Sequence, residues 1–265
     1  MRKSTPQAMR VLKDEECLHY RDEFRAARYA ALADAESFTE ICFALEALGL
    51  RLLGRQADLG AYEDRICAYA LKSPVFKRLA KTPKSQFKTF DALYQIVRKA
   101  RNDAMHTGAY ARHATEAAIE LCIGLEEALM AEVKRTVGNV MVKSPIAVEP
   151  WQPVAHARQV MLMHSFSFLP VRFQSSWWLV SELGLAKFLN TSVNVKHDRL
   201  GMTIEEAHLE LELIRIPNKQ LLSAMHPIEN VLRDAQVKDG PTLWLVVEED
   251  RPDFLSGVLS PFELM

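Results

Sequence analysis

The sequence predicts a protein of two domains: an all-α up-and-down helical bundle over residues 1–138, followed by an α/β unit of two tandem copies over 139–265. Three observations carry this expectation. Composition changes near Gly138, because all four cysteines (Cys17, Cys42, Cys67, Cys122) precede it while all four tryptophans (Trp151, Trp177, Trp178, Trp244) and nine of the twelve prolines follow it. A shift of that kind marks a domain boundary. Apolar residues of the first part recur at the three-and-four spacing of a helix face. In the second part, short strand-like runs alternate with helix starts and come round again after 74 to 79 residues.

Ala, Leu, Glu and Arg dominate residues 14–55, and Phe38, Ile41, Cys42, Leu45, Leu48 and Leu52 line one face, so a helical hairpin is expected there. A shorter third helix is expected over 61–71, after which Ser73-Pro74 and Thr82-Pro83 break the pattern. Phe90, Leu93, Tyr94 and Val97 restart it to about Asn102, with Gly108 marking the exit. A last helix runs from about His113 to Val133, with Ala117, Leu121, Leu125 and Leu129 on one stripe. Four long helices and a short one fit an up-and-down bundle. In the second half, Pro153-Val154 opens a helix, Phe168-Leu169-Pro170-Val171 follows as a strand, and Trp178-Leu179-Val180-Ser181 leads into another helix. Pro227-Ile228, Leu243 to Val247 and Gly257-Val258-Leu259-Ser260 repeat that order. A copy of about 50 residues buries too little surface to fold alone, so the two must pack on each other.

A chain of 265 residues that is 49% hydrophobic and 25% charged can bury a core in each domain, which excludes overall disorder. The formal net charge of −1 excludes a protein that coats polyanions over its whole surface. Charge is uneven, however: residues 1–138 carry a net +3 and residues 139–265 a net −4, so the first half is the one suited to phosphate. The cysteines have no C-x-x-C spacing, the charged start lacks a secretory apolar core, and no run of about 18 apolar residues occurs. A cytoplasmic protein without a membrane partner is expected.

The chemistry of the first half centres on Arg101-Asn102-Asp103-Ala104-Met105-His106-Thr107-Gly108. Arg101 follows Phe90 by about three helical turns, which puts a permanent charge on the apolar face, where it needs an anion to receive it. His106 is expected past the helix's last turn, where the two groups can flank a bound phosphate. The alternative is an ion pair of Arg101 with Asp103 or Glu116, and a helix-terminal histidine favoured by the dipole. Arg158 and His164 have a similar but six-residue spacing in the second half and carry no such expectation.

The segment Val97 to Gly108, followed by an Ala-rich final helix, resembles the HEPN family. These are all-helical domains with an R-x4–6-H motif, and a polar residue after the arginine, near the end of the penultimate main helix. Arg101, Asn102 and His106 fill the three positions, and the resemblance covers about 14–135. It implies a metal-independent ribonuclease whose site forms across a dimer, although other members are degenerate or only bind nucleotides. The chemistry agrees with such a site: attack by a 2′-hydroxyl needs a base, an acid and positive charge on the phosphate. Two copies of His106 and Arg101 around a two-fold axis would supply all three. No metal is expected.

No acid occurs from 65 to 90, while Lys77, Arg78, Lys81, Lys84 and Lys88 accumulate near Phe76 and Phe87. This is either an RNA-tracking flank with aromatic platforms or a solvated basic segment whose phenylalanines belong to the core.

Both repeats resemble CBS motifs, which pair into a Bateman module and often sense adenine nucleotides. The carriers are Ala157 to Met161, Ser167 to Val171 and Gly257 to Leu264. The family's nucleotide pattern is G-h-x-[ST]-x-x-[DN]. The second copy keeps Gly257 and Ser260 but has Glu263 at the ribose position; the first reads Trp178, Ser181, Gly184. The resemblance implies at most one ordinary site for AMP, ADP or ATP, near Ser260 and Glu263, with Ser181 as the phosphate-side residue of the degenerate copy. Trp177 and Trp178 cap the sheet, line the cleft, or simply pack one repeat on the other.

Two functions follow as expectations. One is a dimeric endoribonuclease acting on RNA rather than DNA, adjusted by a nucleotide at the CBS pair, as in a toxin or defence effector. The other is a non-catalytic adenine-nucleotide sensor or adaptor that dimerises through its helical domain.

Overall fold

The computed structural model describes residues 10–82, 86–107, 112–234 and 242–264. The chain divides into two compact units, Met1–Lys134 and Arg135–Met265.

The first unit is helical: α1 (Asp14–Ala33), α2 (Phe38–Leu53), α3 (Leu59–Ala70), the single turn α4 (Pro74–Lys77), α5 (Phe90–Thr107) and α6 (Arg112–Met130). Local chemistry sets the boundaries. Asp58 caps α3 by accepting the Ala61 N–H, and Ser73 caps α4 by accepting that of Val75, with Pro74 in the first turn where its missing donor costs nothing. Gly54 ends α2 in the left-handed conformation, at a φ of 78°. The α2 stripe from Phe38 to Leu52 is buried, as are Phe90, Leu93, Tyr94 and Val97 of α5 and Ala117, Leu121, Leu125 and Leu129 of α6. α1 packs on α2 and α6, and α5 packs on α6 and α3. The longer extent of α5 corrects the expectation of an end near Asn102: the helix runs on through position 106.

Arginine–glutamate pairs tie these helices at the margins of the core. Arg51 of α2 meets Glu16 of α1 at 2.6 Å, and Arg28 of α1 meets Glu126 of α6 at 2.7 Å. Arg98 of α5 meets Glu63 of α3 at 3.2 Å, and Arg101 of α5 meets Glu46 of α2 at 2.7 Å. A guanidinium presents a planar fork that fits a carboxylate, which makes arginine the cation suited to half-buried pairs. Two helix crossings also need glycine: a Cβ on Gly49 would run into the Tyr62 ring, and one on Gly124 into the Phe76 ring.

The second unit begins with α7 (Val137–Val140) and β1 (Val142–Lys143). The first copy follows as α8 (Val154–His164), β2 (Phe168–Phe173), β3 (Ser176–Ser181), α9 (Glu182–Leu189), α10 (Val193–Gly201) and β4 (Ile214–Ile216). The second copy is β5 (Leu222–Ser223), α11 (Ile228–Asp234), β6 (Trp244–Val247), β7 (Leu255–Leu259) and α12 (Pro261–Leu264). One sheet has the order β2-β3-β4 and the other β1-β7-β6-β5, with β5 and β6 parallel and the remaining pairs antiparallel. Trp177, Leu179 and Ile216 of the first sheet share one apolar cluster with Leu245 and Val247 of the second, so each copy covers the face that the other leaves bare. Trp177 is therefore a core residue, and its Nε1 donates to the Pro252 carbonyl at 2.9 Å across the copies. No described helix is long and apolar enough to cross a membrane.

Gly124→Ala is expected to cost about 1–3 kcal/mol, because the methyl must displace a buried phenylalanine ring; a chemical denaturation curve with an unchanged midpoint would contradict the close packing. Burial lifts the Cys42 thiol to about 12 and the Cys122 thiol well above its ordinary value. At pH 8 about 10⁻⁴ of Cys42 is then thiolate, so a thiol-exchange reagent should modify Cys42 and Cys122 only after unfolding, while the half-buried Cys67 reacts in the native protein.

Candidate functional site

Arg101 lies on α5 where that helix meets α2. Its side chain is 35% exposed, and Nη2 donates to Glu46 Oε1 at 2.7 Å. This corrects the sequence-based partners: the carboxylate is neither Asp103 nor Glu116 but one 55 residues earlier. Asn102, the next residue, is exposed. His106 stands on the same continuous helix rather than beyond its end, five positions and about 7.5 Å of rise from Arg101. The side chains of residues 104–113, including those of His106 and His113, lie outside the described set, as does Tyr110.

The surface beside Arg101 has an apolar character that the sequence reading did not single out. On α2, Phe43 is 60% exposed, Leu50 is 45% exposed, and Ala47 between them is exposed too. With Glu46 these positions follow the three-and-four spacing, so the carboxylate that holds Arg101 rises from an open apolar stripe. The signal was present in the sequence: α2 carries apolar residues all round, more than one buried face requires.

The basic flank divides. Lys77, Arg78 and Lys81 are exposed around the short turn α4, and Lys88 is exposed and pairs with Glu120 at 2.9 Å. Lys84 lies outside the described residues. Phe76 is buried, edge-on to Phe90, so it is a core residue and not a platform for bases; Phe87 is exposed.

In the second unit the two hydroxyls at the CBS-like positions cap helices. Ser181 Oγ accepts the Gly184 N–H at 3.0 Å and opens α9. Ser260 Oγ accepts the Phe262 N–H at 3.2 Å, and Glu263 accepts both the Ser260 N–H and its hydroxyl at 2.7 Å. The sequence announces this geometry, since Ser260-Pro261-Phe262-Glu263 is a capping box with proline in the first turn. The carboxylate expected on a ribose is thus folded back on its own serine. Gly257 lies in β7 opposite Val246, and a Cβ there would run into Met141. Trp178 donates from Nε1 to the Phe173 carbonyl at 3.0 Å and takes the Arg215 guanidinium over its ring.

No known family profile and no curated protein matches the sequence. Solved structures resemble part of it. A CBS-domain-containing protein of Bacillus anthracis is 18% identical over 49% of this chain and 90% of its own, with a TM-score of 0.38. A CBS-pair protein of Arabidopsis thaliana, solved in complex with AMP, is 19% identical over 49% of this chain and 92% of its own, with a TM-score of 0.35. A CBS-domain pair solved with 5′-methylthioadenosine and S-adenosyl-L-methionine is 17% identical over 49% and 92%, with a TM-score of 0.36. These likenesses are to CBS-domain proteins and cover about half of this chain.

Proposed function

We propose that the protein is a metal-independent endoribonuclease of the HEPN type, with a composite site made by two copies of Arg101, Asn102 and His106. In this reading the 2′-hydroxyl attacks the adjacent phosphorus, one His106 takes the hydroxyl proton, and the 5′-oxygen leaves with a proton from the other. Products are a 2′,3′-cyclic phosphate and a free 5′-hydroxyl. The paired Arg101 side chains balance the charge that builds on the phosphate oxygens, and Asn102 orients them. The observation that carries the reading is the half-exposed Arg101 at the edge of the Phe43–Ala47–Leu50 stripe, which a second copy can bury while a phosphodiester replaces water at the guanidinium. Lys77, Arg78, Lys81, Lys84 and Lys88 would track the RNA backbone on either side. The α/β unit serves as the regulatory part, with an adenine nucleotide at Ser260, Glu263 and Gly257 or beside Ser181. Binding there alters cleavage only if it favours one dimer arrangement over another.

A second reading is favoured by the Arg101–Glu46 pair itself: a non-catalytic nucleotide sensor whose bundle is an interface and whose Arg101 is one of several ties between helices. Glu46→Gln separates the two. For a nuclease, removing the competing carboxylate tightens RNA binding and steepens its salt dependence; for a sensor, only thermal stability falls.

In chelator-treated buffer the wild type should cut mixed RNA, and His106→Ala should slow cutting at least about 100-fold. Equal cleavage by both, or none by either, rejects catalysis at this site. Calorimetry with AMP, ADP and ATP should show one site per chain, weakened about tenfold by Ser260→Ala, which removes one hydrogen bond to a phosphate. An unchanged affinity would move the nucleotide away from Ser260.

A further inference from the structure

We infer that the groove between α8, α9 and α10 is a docking site for an amphipathic helix of a partner protein, one that carries carboxylates along the edge of its apolar stripe. Two adjoining cavities of about 550 and 360 Å³ form the groove and share Arg158, Ala186 and Leu189. Its floor is the outer side of the core, with Met161, Leu185 and Leu189 buried there. Leu162 of α8, 64% exposed, and Leu183 of α9, 63% exposed, stand on its walls and belong to no core cluster of the described residues. α10 closes one side. That helix has nine residues and buries none of them, so it holds its shape by resting on α8 and α9, and it brings Lys196 to the groove.

Charge chooses the occupant. Among the described residues Arg158 and Lys196 have no carboxylate partner, although they lie in the half of the chain with a net charge of −4. Lys187 is taken by Glu212 at 2.7 Å. The lining holds one carboxylate, Glu182, at the start of α9. A helix laid along such a groove puts leucine-like side chains at i, i+3 and i+7 against Leu162 and Leu183, and its flanking acids meet Arg158 and Lys196. The cavities are open to solvent along one side, which suits a helix better than a small molecule that must be mostly enclosed. None of the lining residues belongs to the proposed nuclease site or to the nucleotide site at Ser260, so the inference stands or falls separately from those two.

The test uses the full chain and two fluorescent synthetic peptides of about 18 residues. Each has the same leucine stripe, flanked by glutamate in one and by lysine in the other. Binding followed by anisotropy should occur with the glutamate peptide. Arg158→Glu combined with Lys196→Glu should weaken it at least about tenfold and turn preference toward the lysine peptide. All three substituted positions, including Leu183 in Leu183→Asp, are exposed, and Leu183→Asp should abolish binding of both peptides. No binding of the glutamate peptide, or equal binding by the charge-reversed protein, overturns the inference. So does a dimer that Leu183→Asp disperses in sedimentation, which assigns the groove to a second copy. Capture of the protein by phosphatidylserine vesicles that the charge reversal abolishes would likewise assign it to lipid.

Discussion

A guanidinium stays charged wherever it lies, so at the rim of a packed helix face it needs an anion to offset the water it loses, and the helical unit repeatedly supplies glutamate. Each pair spans two helices that the apolar core has already brought together, so the pairs fix rotation and register more than they drive association. Arg101 obeys the same rule as Arg28, Arg51 and Arg98. What distinguishes it is its surroundings: its glutamate rises from an open apolar stripe, and the residue that follows it is a bare asparagine. A nuclease and an inert scaffold therefore share the same lacing, and what separates them is whether a phosphate can displace Glu46.

The α/β unit rests on a different constraint. Each copy has one sheet face with no helix to cover it, and the two faces solve the problem mutually through Trp177, Leu179, Leu245 and Val247. The serine hydroxyl where β3 gives way to α9, and where β7 gives way to α12, then does local work as a helix cap. For nucleotide binding this means that Ser260 would exchange an internal partner for a phosphate oxygen, and that Glu263, one methylene longer than the aspartate of the family pattern, has the reach to close on its own serine.

Periodicity made the helices legible, because burial of one face leaves a three-and-four rhythm in α2, α5 and α6 that survives any tertiary detail. The repeat offsets exposed the doubled unit for a related reason: two copies that pack on each other keep their elements in step. The end of α5 was not legible, since Gly108 reads as an exit while Ala104 and Met105 before it continue a helix without protest. Glu46 could not be named as the partner of Arg101, because a contact across 55 residues leaves no local trace. The capping box at Ser260 is legible, but the nucleotide pattern uses the same letters, so the two readings compete for one segment. Residues 193–201, which form α10, carry no apolar stripe, in keeping with a helix that buries none of its residues.

The separation of thiols from indoles across the two units has a practical consequence. Every cysteine belongs to the helical half and every tryptophan to the α/β half. Because all six tyrosines also lie in the helical half, emission excited at tryptophan alone, beyond tyrosine absorption, follows the α/β half while maleimide labelling follows the other, so whether the halves melt together or in succession can be read without introducing a reporter residue.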